Sequence, residues 1–113
     1  MHPYAMTSKP SSPAVIGSIP EFVAADVVKA VEWLSGIPGV KRIWLFGSAT
    51  GKRPMDERSD LDFAVEGLAP GREYGLWSEL DARLSRPLDL VRCEDATPLL
   101  LSEIHKGILL YET

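Results

Sequence analysis

Ser59-Asp60-Leu61-Asp62-Phe63-Ala64-Val65 decides the reading of this chain, because Asp60 to Val65 alternates acid and apolar side chains with the period of a strand. Asp60 and Asp62 then project from one face, roughly 6 to 7 Å apart at their Cα atoms, while Leu61, Phe63 and Val65 leave by the other. Carboxylates so close repel each other, and either one takes up a proton or a cation settles between them. Magnesium suits the second outcome, since it takes one or two carboxylates and completes its octahedron with water and phosphate oxygens. Taken alone, the two acids are equally what the wet face of a half-buried strand carries.

Upstream, Val40 to Phe46 reads V-K-R-I-W-L-F, a β-branched and aromatic strand running straight into a turn at Gly47-Ser48. Ala49 to Ser59, with Gly51 and Pro54, has neither helical nor strand period and reads as an exposed loop. Before them, Val23, Val27, Val31 and Leu34 line one face of a helix expected from Pro20 to Ser35, with Ser18 and Glu21 spaced as a capping box and Gly36 and Pro38 as a stop. Residues 1–17, rich in proline and serine, read as a flexible arm, leaving 18–113 as one domain. Downstream, Leu76, Trp77, Leu80 and Leu84 mark a second helix ending before Pro87, and Leu88 to Arg92 a third strand. Thr97-Pro98 opens a last helix that Gly107 closes, and Ile108 to Tyr111 reads as a terminal strand. The order α-β-β-α-β-α-β implies an α/β (α+β) fold, a small mixed sheet with helices packed on one face.

Composition narrows the function. The 113 residues hold 12 Lys+Arg against 16 Asp+Glu, a formal charge of −4, which disfavours an extended nucleic-acid interface built on phosphate neutralisation. Apolar runs such as Pro98 to Leu101 are far short of the ~18 residues of a membrane span. No secretory signal is legible in Met1 to Gly17, so the cytoplasm is the expected compartment. Cys93 is the only cysteine, which rules out an intrachain disulfide and a cysteine-built zinc site. His2 and His105 have no companion at metal-ligand spacing, and Trp33, Trp44 and Trp77 read as packing anchors before nucleobase platforms.

Two further features give the acid pair a chemical meaning. Gly47-Ser48, separated from Asp60 by eleven residues, can bring backbone N–H groups and a hydroxyl close to a phosphate. Asp89 interrupts the apolar strand Pro87-Leu88-Asp89-Leu90-Val91; a lone acid there is as a rule exposed or paired with a base such as Arg92. Three acids from two strands beside a Gly-Ser turn are what phosphoryl or nucleotidyl transfer needs, because cations must offset the triphosphate and one carboxylate can receive the proton of the attacking hydroxyl.

Leu45-Phe46-Gly47-Ser48, Ser59-Asp60-Leu61-Asp62-Phe63-Ala64-Val65 and Leu88-Asp89-Leu90-Val91 resemble the three signature segments of the minimal nucleotidyltransferases of the DNA polymerase beta superfamily, and the ending Ile104 to Glu112 is similar to theirs. The resemblance spans about residues 21 to 112. It implies that Asp60, Asp62 and Asp89 are catalytic and hold one or two Mg2+ ions, that Asp89 is metal ligand or base, and that Gly47 and Ser48 grip the phosphates of ATP or another NTP. The arginine often found after that serine is here Ala49, with Lys52 and Arg53 further along the spacer. The resemblance further implies transfer of NMP, with AMP first, to a hydroxyl on a partner protein of the helical HEPN type, as the antitoxin-like member of a two-gene toxin–antitoxin pair. The competing expectation is a non-catalytic antitoxin that masks that partner; a purely structural subunit is the third, and homo-oligomerisation stays open.

Overall fold

The computed structural model describes residues 21–47 and 60–113. Residues 1–17, Ser18 of the expected capping box, Pro20 at the expected helix start, Ser48 and the Ala49 to Ser59 spacer lie outside them. The elements are α1 (Glu21–Leu34), β1 (Arg42–Phe46), β2 (Leu61–Glu66), α2 (Arg72–Arg83), β3 (Leu88–Arg92), a 3-10 turn (Cys93–Asp95), α3 (Pro98–His105) and β4 (Ile108–Glu112).

The four strands form one mixed sheet in the order β3-β2-β1-β4. β1 is antiparallel to both β2 and β4, whereas β2 and β3 run parallel, joined by the crossover through α2. Period-two alternation sends Ile43, Leu45, Leu61, Phe63, Val65, Leu88 and Leu90 to one face, where they meet Val23, Val27, Val31 and Leu34 of α1 and Leu76 and Leu80 of α2. Each such side chain taken fully out of water contributes about 1.5–3 kcal/mol, so this layer holds the sheet against the two longer helices.

The buried stripe of α1 is wider than its valines, for Ala30 and Asp26 are buried as well. The Asp26 carboxylate accepts from the Ser85 backbone N–H at 3.2 Å and from its hydroxyl at 2.6 Å, tying α1 to the loop that feeds β3. An acid inside an apolar stripe is tolerated because its oxygens are satisfied.

Helical cover on one face is thus realised by α1 and α2, while short α3 goes to the other face. Thr97 caps it, accepting from the Leu100 N–H at 3.2 Å, with Pro98 in the first turn. Its Ile104, Leu100 and Leu101 pack with Trp44, Phe46, Ala64 and Val91, the alternate residues of the same strands. The sheet carries apolar side chains at its centre on both faces, so a second cover was needed there. Among the described residues no helix is long and apolar enough to cross a membrane.

Candidate active site

Strand direction gathers the candidate residues. Because β1 opposes β2 and β2 parallels β3, the end of β1 and the beginnings of β2 and β3 share one margin of the sheet. On the α3 face the register forms three cross-strand rows. Arg42 lies opposite Glu66 and Glu112, Trp44 aligns with Ala64 and Val91, and Phe46 aligns with Asp62 and then Asp89. α3 roofs the middle row. Neighbouring strands stand about 4.8 Å apart, so Asp62 and Asp89 are side by side on one face, facing away from the main core.

Asp89 is exposed between Leu88 and Leu90, which are 3% and 7% exposed. A pairing with Arg92 is not what holds it. Arg92 leaves by the opposite face, donating through Nε to the Leu68 carbonyl at 2.8 Å and pairing with Asp95 at 2.7 Å. That ion pair, against a desolvation cost, raises the Arg92 pKa. Asp60, exposed, immediately precedes β2, whose ladder begins where the Leu61 N–H donates to the Pro87 carbonyl at 3.0 Å.

Gly47 closes the row with φ +77°, a conformation that L side chains rarely adopt. A Cβ there would strike the Asp62 carboxylate, with Oδ2 the first atom met and Cγ at 3.3 Å. The glycine therefore makes room for the acid as well as for close approach of a ligand to the backbone. Gly107, read from sequence only as the stop of the last helix, also has a packing role, since a Cβ on it would meet the Leu45 carbonyl, with Phe46 Cα at 3.0 Å. It lets the start of β4 press against the end of β1, beside the acid row. The one available signal for it was its position next to a strand, which does not reveal packing distance.

Cys93 and the three tryptophans serve the fold, as does Arg42; His2, Lys52 and Arg53 lie outside the described residues. Arg42 bridges Glu112 at 2.7 Å and Glu66 at 2.6 Å, and those carboxylates raise its pKa. Cys93 is buried, and desolvation, helped by Glu94 and Glu66, pushes its thiol up to about 11. Trp33 lies under the Arg83 guanidinium at 5.0 Å, Trp44 is tilted against His105 at 5.1 Å, and the Trp77 indole donates to the Leu88 carbonyl at 2.7 Å. Among the described residues no three His, Cys, Asp or Glu side chains are gathered as a ready-made metal cage. The aligned carboxylates fit a hard cation whose shell is completed by water and phosphate oxygens, which is how magnesium binds.

A family model described as polymerase beta nucleotidyltransferase matches residues 29–113. The chain belongs to the polymerase beta nucleotidyltransferase family. Solved structures similar to this nucleotidyltransferase include toxin–antitoxin complexes. One, crystallised with AMP-PNP, is similar at TM-score 0.63 and 28% identity over 79% of this chain and 73% of that one. Another, a tri-AMPylated Shewanella oneidensis HEPN toxin in complex with MNT antitoxin, is similar at TM-score 0.58 and 26% identity over 79% and 69%. An MntA–HepT toxin–antitoxin shares the fold at TM-score 0.60 and 24% identity over 83% and 74%. No curated protein gives a significant match.

Proposed function

We propose that this nucleotidyltransferase moves AMP from ATP, in the presence of Mg2+, to a hydroxyl on a HEPN-type partner protein, as the antitoxin-like half of a toxin–antitoxin pair. The single observation that carries the reading is the row in which Gly47, Asp62 and Asp89 stand together, with Asp60 at the mouth of β2. The partner and the nucleotide are suggested by the relatives solved with AMP-PNP and with an AMPylated HEPN toxin.

Within this reading Asp60, Asp62 and Asp89 hold Mg2+, which when bound offsets the charge of the triphosphate. The Gly47 backbone, with Ser48 after it, orients the phosphates. Asp89, on the outer strand and free of a cationic partner among the described residues, receives the proton of the incoming hydroxyl, and pyrophosphate leaves. Asp62, fixed between Gly47 and Asp89, aligns the donor for attack. An ATP donor is consistent with a reaction in the cytoplasm.

The test is transfer from α-labelled ATP to the HEPN-type partner with Mg2+. Label on the partner that is lost in Asp62→Asn and Asp89→Asn, each folded and partner-bound, is the expected result. Undiminished neutralisation of the partner by both variants would instead establish masking without chemistry.

A further inference from the structure

The outer edge of β3 bears on how an acceptor reaches the site. Among the described residues β3 is the terminal strand of the sheet, with β2 on one side only. Since the Pro87 carbonyl bonds β2, alternate residues from 87 onward turn their backbone polar groups inward, and 88, 90 and 92 turn theirs outward. Trp77 agrees with this geometry: its indole nitrogen takes the outward Leu88 carbonyl and blunts that part of the edge. Two residues on, Leu90 presents an N–H and a carbonyl to the same open side.

There the edge forms the floor of a recess of about 450 Å³, walled by Glu73 and Tyr74 of α2 on one side and by Asp95, Ala96 and Leu100 on the other. Among the described residues that line it, two acids, Glu73 and Asp95, face one cation, Arg92. Arg92 hydrogen-bonds the Leu68 carbonyl and pairs with Asp95, while Glu73 adds a weaker electrostatic contribution. Glu73 Oε1 is buried with no hydrogen-bond partner among the described residues. Tyr74, 75% exposed, offers a bare aromatic wall. A buried carboxylate oxygen without a donor calls for a cationic or N–H group from outside.

We propose that an extended, positively charged segment of the acceptor protein docks on this edge, exchanging backbone hydrogen bonds with Leu90 and placing a Lys or Arg against Glu73. An added strand would stand about 4.8 Å beyond β3. A hydroxyl side chain level with Asp89 would thereby flank that carboxylate on the side opposite Asp62, where the proton must be received. The inference rests on the transfer reading above and adds the acceptor's path to it.

Two measurements test it with the intact chain and the HEPN-type partner. Amide hydrogen exchange followed by NMR should show the Leu90 N–H exchanging freely in the nucleotidyltransferase alone and slowed at least about tenfold in the complex, while ladder amides such as Val91 stay protected throughout. Glu73→Lys should raise the KM for the partner about tenfold, with kcat and the KM for ATP within about twofold of wild type. An unprotected Leu90 in the complex, or an unchanged partner KM in the variant, overturns the proposal. So does a Leu90 amide already protected in the free protein, which would mean that a second copy or another segment of the chain occupies the edge. The exchange measurement needs no transfer: a partner that protects Leu90 but takes no label would leave the docking inference standing and bring down the transfer reading.

Discussion

Replacing Gly47 with alanine separates two demands that the structure makes of one residue. The backbone at this position has φ +77°, which costs an alanine about 1–2 kcal/mol. Loss of glycine's freedom in the unfolded chain returns about 0.4–1 kcal/mol, so the backbone change alone leaves a net loss of about 1 kcal/mol. For a domain of this size that is a fall in Tm of about 4 °C. The new Cβ also strikes the Asp62 carboxylate. Because the obstacle is the end of a side chain, it can rotate away at small cost in stability, but it then leaves its place beside Asp89. A shift of about 1 Å in such a group lowers transfer about a hundredfold. Chemical denaturation and labelled-ATP transfer, run on Gly47→Ala, Asp62→Ala and the double variant, make this a thermodynamic cycle. The expected outcome is a smaller stability loss for Gly47→Ala when Asp62 is already truncated, and near-abolished transfer in every variant. Wild-type transfer by Gly47→Ala, or an identical stability loss in both backgrounds, would refute the argument that the glycine exists to seat the acid.

Gly107→Ala should behave in the opposite sense, losing at least about 2 kcal/mol in denaturant titration, since its Cβ meets the Leu45 carbonyl and the Phe46 backbone, which cannot rotate aside. Asp26→Ala should cost about 2–3 kcal/mol, because the Ser85 N–H and hydroxyl lose a charged acceptor; Ser85→Ala, which keeps the N–H bond, should cost about half of that. Cys93, with its thiol pushed up to about 11, should resist iodoacetamide at pH 7.5, and labelling should climb steadily as pH is raised toward that value in the folded protein, as only the thiolate reacts. Rapid labelling at neutral pH, read by mass spectrometry, would show the thiol to be neither buried nor raised.

Much was legible from local order alone. The stepping of Val23, Val27, Val31 and Leu34, the acid and apolar alternation after Asp60, and the Thr97-Pro98 start and Gly107 stop are short-range patterns, and short-range patterns set helix and strand. The three acids and Gly47 could be nominated because Asp60 and Asp62 share one face of their strand, Asp89 interrupts an apolar one, and Gly47 sits in a turn, a combination that phosphate and cation chemistry explains. Asp26 could not be: on a helix wheel it sits among the valines, and nothing nearby in the chain announces that Ser85, 59 residues away, will satisfy it.

What linear order left undecided was every distance between strands. Asp62 and Asp89 could have faced opposite sides of the sheet; a slip of one residue in the β2–β3 register would have parted them, because side-chain direction reverses at each step. The crossover through α2, held by Leu76 and Leu80 against the same core that α1 covers, is what set that register. α3 covers the far face, and among the described residues β3 is left as the open margin. Those outcomes depend on which apolar surfaces find one another in space, a property of the assembled layers that no window of neighbouring residues contains.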